Sequence, residues 1–442
     1  MDLTQGNIAK TLFKLTLPMT IGMLALVAFH LSDTWFVSKL GTNELTALSF
    51  TFPIVMIFSS IALGFSTGTS SVISKFIGRG DIEKVQRLTT DTFLLSLLLV
   101  CFFGLIGYVF IDETFIFLGA PADILPLIKD YMQIWYFGII FLVIPIIGNG
   151  AIRASGDTIF PGSLMSAASV INFLMDPLLI FGMFIFPAMG IKGAALATVI
   201  ARGITFFVSI YMLINKYQMI NLKRVSLRKI IISWKEILYI SIPVTMTNLL
   251  NPLSQMIIIK LLATHGKAAV AGVGVSSKME SFGLLIPMAF SSVLGPFTGQ
   301  NLGAKKISRI RKAIRLGYIF SFSWGILLLC LYFPLSKEIA FLFTSDSSVV
   351  KTITSYFLIV PMSYSFMIIF YLTNSILNAM GKPLHSAILQ LGRLFVLYIP
   401  LAYLGSYLYK INGIFSALAV TNIISSIFSI IVLSLTIRKM SS

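Results

Sequence analysis

Long apolar runs separated by short polar segments make up the chain. Windows of about 19 residues, the length needed to cross a hydrocarbon core, pick out runs near 15–38, 48–74, 92–111, 127–149, 160–186, 190–214, 237–262, 270–298, 316–336, 352–377, 386–408 and 412–436. Each predicts a helix, because a backbone in lipid must satisfy its own hydrogen bonds within the segment. The reading is an all-α membrane protein of twelve transmembrane helices. The connections are too short to hold a soluble domain, and no low-complexity linker interrupts them. Composition agrees: 57% of the 442 residues are hydrophobic and 11% charged, against roughly 25% charged in a soluble globular protein.

The net charge of +17 raises the question of a nucleic-acid surface, and the positions of the charges answer it. Allotting Lys and Arg to alternate connections puts Lys10, Lys14, Lys75, Arg79, Lys84, Arg87, Arg153, Lys216, Lys223, Arg224, Arg228, Lys229, Lys235, Lys305, Lys306, Arg309, Arg311, Lys312, Arg315, Lys382, Arg438 and Lys439 on one side. Only Lys39, Lys129, Lys192, Lys267, Lys337, Lys351 and Lys410 fall on the other. Cytoplasmic loops carry the positive excess, so both termini are expected in the cytoplasm of a multi-pass protein of the cell inner (plasma) membrane. Charges scattered over many short segments do not make a nucleic-acid face. The equivalent basic segments 75–90 and 301–315 are expected to anchor the fold at the interface. The first run, which lacks a small-residue cleavage site, reads as a first transmembrane helix rather than a cleaved leader. Cys101 and Cys330 lie within spans and suggest neither a disulfide nor a thiol site.

The halves repeat. At a single constant offset Pro18 matches Pro243, Gly41 matches Gly266, Gly78 matches Gly303 and Gly156 matches Gly381; after the fifth span the register slips by five, and Gly193 faces Gly413. Six spans per half is an even number, so the halves are parallel repeats about an axis along the membrane normal. The expected lobes are 1–215 and 237–442, each with six helices, joined by a cytoplasmic linker at 216–236. Pro18 is a candidate hinge, since proline removes an amide donor and kinks a helix.

Candidate chemistry is acidic. A carboxylate in the hydrocarbon core costs roughly 2.5 to 3.5 kcal/mol on insertion scales, yet Asp33 lies in the first span and Asp176 reads as mid-way along the fifth. Asn172, four residues before Asp176, shares its helix face. Such groups exchange a proton or hold a cation, which makes them candidate coupling sites for H+ or Na+. Lys278, Glu280, Lys260 and Arg393 read as structural, and His30 as a satisfied buried histidine. No phosphate loop and no H-E-x-x-H occurs, so ATP hydrolysis and zinc-dependent protease chemistry lack their residues. The chain is read as a transporter rather than an enzyme.

These features together resemble one family. Leu17-Pro18 to Leu31-Ser32-Asp33-Thr34 with Gly41 following, Phe76-Ile77-Gly78, Ala154-Ser155-Gly156-Asp157-Thr158 and Asn172-x-x-x-Asp176-Pro177 look like the multidrug and toxic compound extrusion (MATE) antiporters, specifically their DinF-like branch. The resemblance implies export of cationic or amphipathic drugs, as in antibiotic resistance, in exchange for H+, with Na+ as the alternative, and no organic cofactor. It places ion coupling at Asp33, Asn172, Asp176 and Thr198, a set of oxygens able also to hold Na+, with Tyr131 and Asn149 lining the cavity. The seventh and tenth spans carry no carboxylate of the kind the other main branch uses. A lipid-linked saccharide flippase of similar two-lobed shape is the alternative, and would want a cationic cavity. Partners are expected to be the drugs and the bilayer, for a monomer.

Overall fold

The computed structural model describes residues 2–221 and 227–440. Residues 222–226, with Lys223 and Arg224, fall in the expected linker and lie outside the described residues. Most of each apolar run is helical, residues 181–186 of the fifth being an exception, and most of the helices continue beyond their runs, because hydropathy registers only the lipid-facing length while polar residues go on propagating the helix. In chain order they are α1 (Ile8–Ser38), α2 (Thr42–Arg79), α3 (Ile82–Val109), the short α4 (Ile111–Phe117), α5 (Leu125–Ala154), α6 (Ile159–Ile180) and α7 (Ile191–Asn215). They continue with α8 (Leu227–Ala263), α9 (Lys267–Gly303), α10 (Ile307–Tyr332), α11 (Ser336–Phe343), α12 (Ser347–Ile359), α13 (Tyr364–Ala379), α14 (Pro383–Leu391) and α15 (Ile399–Lys439).

Among the described residues, eleven continuous stretches of helix are long and apolar enough to cross a membrane. The last, Pro383–Lys439, holds two crossings, because Tyr409 and Lys410 leave helical geometry and fold the chain back. Pro361, which has no amide hydrogen to donate, coincides with a 3-10 turn at Val360–Ser363 between α12 and α13. Between α14 and α15 the chain forms one π-helical stretch, Gly392–Tyr398.

The chain divides into two compact units. One comprises Lys14–Thr245, with α5 at its centre against α2, α3 and α7, and α6 paired with α7. The other comprises Leu3–Phe13 and Met246–Ser442, with α13 at its centre against α9, α10 and α15. Side chains such as Phe117, Phe137, Phe207 and Tyr407 stand exposed, an apolar surface that suits lipid rather than water.

The repeat is written in the backbone as well as in the sequence. Left-handed or otherwise positive φ occurs at Gly41 and Gly266, at Gly80 and Lys305, and at Gly156 and Gly381, each pair separated by the offset of the sequence repeat. Beyond the register slip it recurs at Gly190 (φ 55°) and Lys410 (φ 54°). The turns therefore kept their geometry where glycine gave way to lysine, a conformation that costs an L-residue about 1 kcal/mol or more.

Candidate functional site

Two helix crossings build the site in the first unit. Helix α1 approaches α6 through glycines: a Cβ on Gly22 would lie 2.8 Å from the Cα of Gly162, and a Cβ on Gly162 would lie 2.9 Å from the carbonyl carbon of Pro18. Pro18 thus sits at the point where the two backbones come closest, with no amide for the carbonyl one turn before it. Further along, Phe36 of α1 meets Phe173 and Phe181 of α6 and its C-cap at ring distances of 5.5 and 6.4 Å. Asp33 lies one turn before Phe36, and Asn172 immediately before Phe173.

Asn172 and Asp176 have no solvent exposure, and Asp33, Thr198 and Tyr131 are buried. The Asn172 amide donates to Asp176 Oδ1 at 3.2 Å and to Thr198 Oγ1 of α7 at 3.4 Å. Asp33 and Asp176 lie within electrostatic reach of each other, and the Tyr131 phenol within reach of both. Three oxygens in this group, Asp33 Oδ1, Asp176 Oδ2 and Asn172 Oδ1, are buried without a hydrogen-bond partner. A buried acceptor left without a donor costs about 1–3 kcal/mol, more if charged. What the cluster offers is a set of uncommitted oxygens, fit for a proton or for a hard monovalent cation. Among the described residues no group of three or more His, Cys, Asp or Glu could hold a metal ion.

The site stands towards one end of the unit, not at mid-span. Helix α6 ends at Ile180, where Gly182 turns the chain with a positive φ, so Asp176 is one turn from its end and Asp33 little more than a turn from the end of α1. Tyr131 is likewise near the start of α5 and Thr198 near that of α7. That end is the lysine-poor one. Its rim is closed by the pairs Lys192–Asp130 at 3.2 Å and Lys129–Asp112 at 2.7 Å. Asn149 is not part of it: eighteen residues along α5 from Tyr131, about 27 Å at 1.5 Å per residue, it falls where α5 crosses α2. There Ser66 donates to the Ile146 carbonyl at 2.7 Å and accepts from Arg153 at 3.0 Å.

The sequence reading missed Arg202. It lies one turn beyond Thr198 on α7, and its guanidinium stacks 4.8 Å from the ring centroid of Phe29, which is one turn before Asp33 on α1. The Thr198-x-x-x-Arg202 and Phe29-x-x-x-Asp33 spacings were the available signal. His30 is exposed rather than buried, while Phe29 beside it is buried. In the second unit Glu280, read as structural, accepts hydrogen bonds from the hydroxyls of Tyr356 and Tyr364, the latter at 3.2 Å. Arg393 is buried and donates to Asn422 at 2.8 Å.

With this geometry in hand, known proteins place the chain. The MatE family profile matches residues 18–178 and again 243–404, two segments whose first residues, Pro18 and Pro243, are themselves a matched pair of the internal repeat. A FAD transporter of Shewanella oneidensis is 37% identical over 428 residues, covering 96% of this chain and 94% of that protein. The multidrug export protein MepA of Staphylococcus aureus is 24% identical over 439 residues, covering 98% and 94%. Among solved structures, the Vibrio cholerae MATE transporter VcmN in its bent form superposes with a TM-score of 0.93 at 32% identity, covering 98% of this chain and 97% of that one. Two matched segments, twelve crossings and a match along nearly the whole chain leave one conclusion: this multi-pass membrane protein belongs to the MatE family of transporters, and is not an enzyme.

Proposed function

We propose that the chain is an ion-coupled exporter of the DinF-like kind, in which Asp33 and Asp176, with Asn172 and Thr198, exchange a cation for substrate. The observation that carries this reading is the trio of buried oxygens without donors at Asp33, Asn172 and Asp176. Such a site binds a cation without first breaking a protein hydrogen bond. Its place at the lysine-poor end of the unit suits loading from the outside, with both termini cytoplasmic. The order of events follows from charge. With one cation bound, the carboxyl pair keeps a single negative charge and its mutual repulsion is relieved, so α1 and α6 can close on each other at Phe36 and Phe173. With the cation gone, two like charges share a buried site and favour separation of the helices, for which Pro18 and the glycine crossing at Gly22 and Gly162 supply the bend. Proton coupling is preferred. The same oxygens would serve Na+, with Asp33, Asp176, Asn172 and Thr198 as its ligands.

Two substrate classes follow from the relatives. Multidrug relatives favour cationic or amphipathic drugs. The greater identity to a FAD transporter, 37%, favours a flavin dinucleotide, an amphipathic anion, as a second reading.

The deciding experiment reconstitutes the protein in liposomes and imposes a pH gradient or a Na+ gradient separately, with a fluorescent cationic dye in one arm and FAD in the other. Substrate movement driven by the pH gradient in the absence of Na+ is expected, and its loss in Asp33→Asn with the protein still folded. A full rate in Asp33→Asn would remove the coupling role; a strict Na+ requirement would replace H+ with Na+.

A further inference from the structure

The basic segment 301–315, expected from sequence to anchor the fold, divides into two faces. Lys306 and Arg309 do anchor: Lys306 Nζ donates to the Thr4 carbonyl at 2.8 Å, and Arg309 donates to the carbonyls of Gly6 and Gln5, each at 2.9 Å. Arg311 and Arg315, one turn apart on α10, line a groove of about 540 Å³. Its walls continue with Tyr318, Ile319 and Phe322 of α10 and Ile369 of α13. The Tyr318 hydroxyl is fixed at 3.1 Å from Thr373 Oγ1. Arg315 has no acidic partner among the described residues. Ile319 and Phe322 are 54% and 53% exposed, so the apolar part of the groove is open along its side.

The dimensions select an amphiphile. From Arg311 to Phe322 is eleven residues, about 16 Å along the helix, half of a hydrocarbon core of about 30 Å. The cationic mouth lies at the basic end of the span and the apolar length runs inward from it, the profile of one lipid in one leaflet. Two guanidinium groups one turn apart present forked donors matched to a phosphate. Basic pockets between transmembrane helices at the positive side are sites for anionic head groups.

We propose that this groove binds an anionic phospholipid, its phosphate held between Arg311 and Arg315 and one acyl chain laid along Ile319 and Phe322. The site is independent of the substrate and of the coupling ion. The full chain is purified in detergent and titrated with phosphatidylglycerol or phosphatidylcholine, bound lipid being counted by native mass spectrometry. Wild type is expected to prefer phosphatidylglycerol, and the double variant R311Q/R315Q to bind it about 30-fold more weakly, equivalent to about 1 kcal/mol for each arginine. Ile319→Trp, which fills the apolar half and leaves both charges, is expected to weaken it as well. Inorganic phosphate in millimolar excess should not displace the lipid. Equal binding of the two lipids, unchanged binding in either variant, or displacement by phosphate would each overturn the proposal. Thermal unfolding of every variant separates loss of the site from loss of the fold.

Discussion

Asn172 is the one side chain that touches both polar partners of the candidate site, so its removal tests whether the cluster is wired for ion exchange or merely packed. Asn172→Ala deletes the bonds to Asp176 at 3.2 Å and to Thr198 at 3.4 Å, both at or beyond the long end of the ordinary N–H···O range. The bond to the Thr198 hydroxyl is neutral and contributes about 0.5 kcal/mol at that length. The bond to Asp176 contributes about 1 kcal/mol when the carboxyl is neutral and about 1.5 to 3 when it is ionised. The worth of Asn172 therefore differs between the loaded and unloaded states by about 1 kcal/mol or somewhat more, which is roughly 5- to 10-fold in an equilibrium. In reconstituted vesicles Asn172→Ala should lower gradient-driven transport by about that factor at a fixed gradient. Substrate binding without a gradient should change less. A variant that unfolds at lower temperature yet keeps the full gradient dependence would refute the reasoning, leaving Asn172 a packing residue.

Other outcomes follow from the same geometry. Gly162→Val puts methyl groups against the Pro18 carbonyl and should destabilise the protein by about 1 to 3 kcal/mol through overpacking, read as a fall in Tm, with the bend at Pro18 lost before the fold. Asp157, in the turn before α6, titrates outside the spans. Burial opposes its ionisation, but the Tyr217 hydroxyl at 2.7 Å, the amides of Phe160 and Ile159, and Lys216 outweigh burial and hold the carboxyl below its usual range. A depressed folded value stabilises the protein above the unfolded value near 3.9 and ceases to do so as pH falls through the folded value. Asp157→Asn should thus lower Tm at pH 7, and the gap to wild type should close in acid. Glu280→Gln replaces the carboxyl oxygen to which two tyrosines donate and should cost about 1 to 3 kcal/mol while leaving the ion dependence of transport intact; loss of coupling would assign Glu280 an exchange role.

Much of the fold was legible because lipid allows few solutions: an apolar run of the right length has to be a helix, and glycines in register betray a repeat. Helix ends were less legible. Asp176 reads as mid-span because Phe181 to Phe186 continue the apolar run, whereas Gly182 ends the helix by adopting a backbone angle that composition does not reveal. Of the site residues, Asn172 and Asp176 could be paired by their i, i+4 spacing alone. Adding Thr198 and Tyr131 required knowing which helices adjoin. Asn149, five turns along α5 from Tyr131, stands apart from the cluster around Asp33 and Asp176, a separation that helix length alone gives. Arg202 went unlinked to the site because only the approach of α7 to Phe29 brings its guanidinium there.

The two halves share a scaffold but not a chemistry, and the difference indicates which carboxylates can exchange ions. Under the repeat Asp33 corresponds to Ile258, Asn172 to Leu397, Asp176 to Leu401 and, past the slip, Thr198 to Leu418, so the second half has lost every member of the cluster. The neighbouring tyrosine persists, Tyr131 as Tyr356, both buried, and each still faces an acidic group. The acidic groups differ in their freedom. Glu280 is held by two tyrosine hydroxyls, so a cation arriving there must compete with donors already in place. Asp33 and Asp176 each keep a buried oxygen with no donor, and a cation arriving there displaces nothing. Ion exchange on each transport cycle needs a site whose empty state is destabilised and whose filled state is not over-stabilised, since a cation bound too tightly would not leave. On the proposed reading the open carboxylates of the first half suit that condition better than the tyrosine-bound carboxylate of the second.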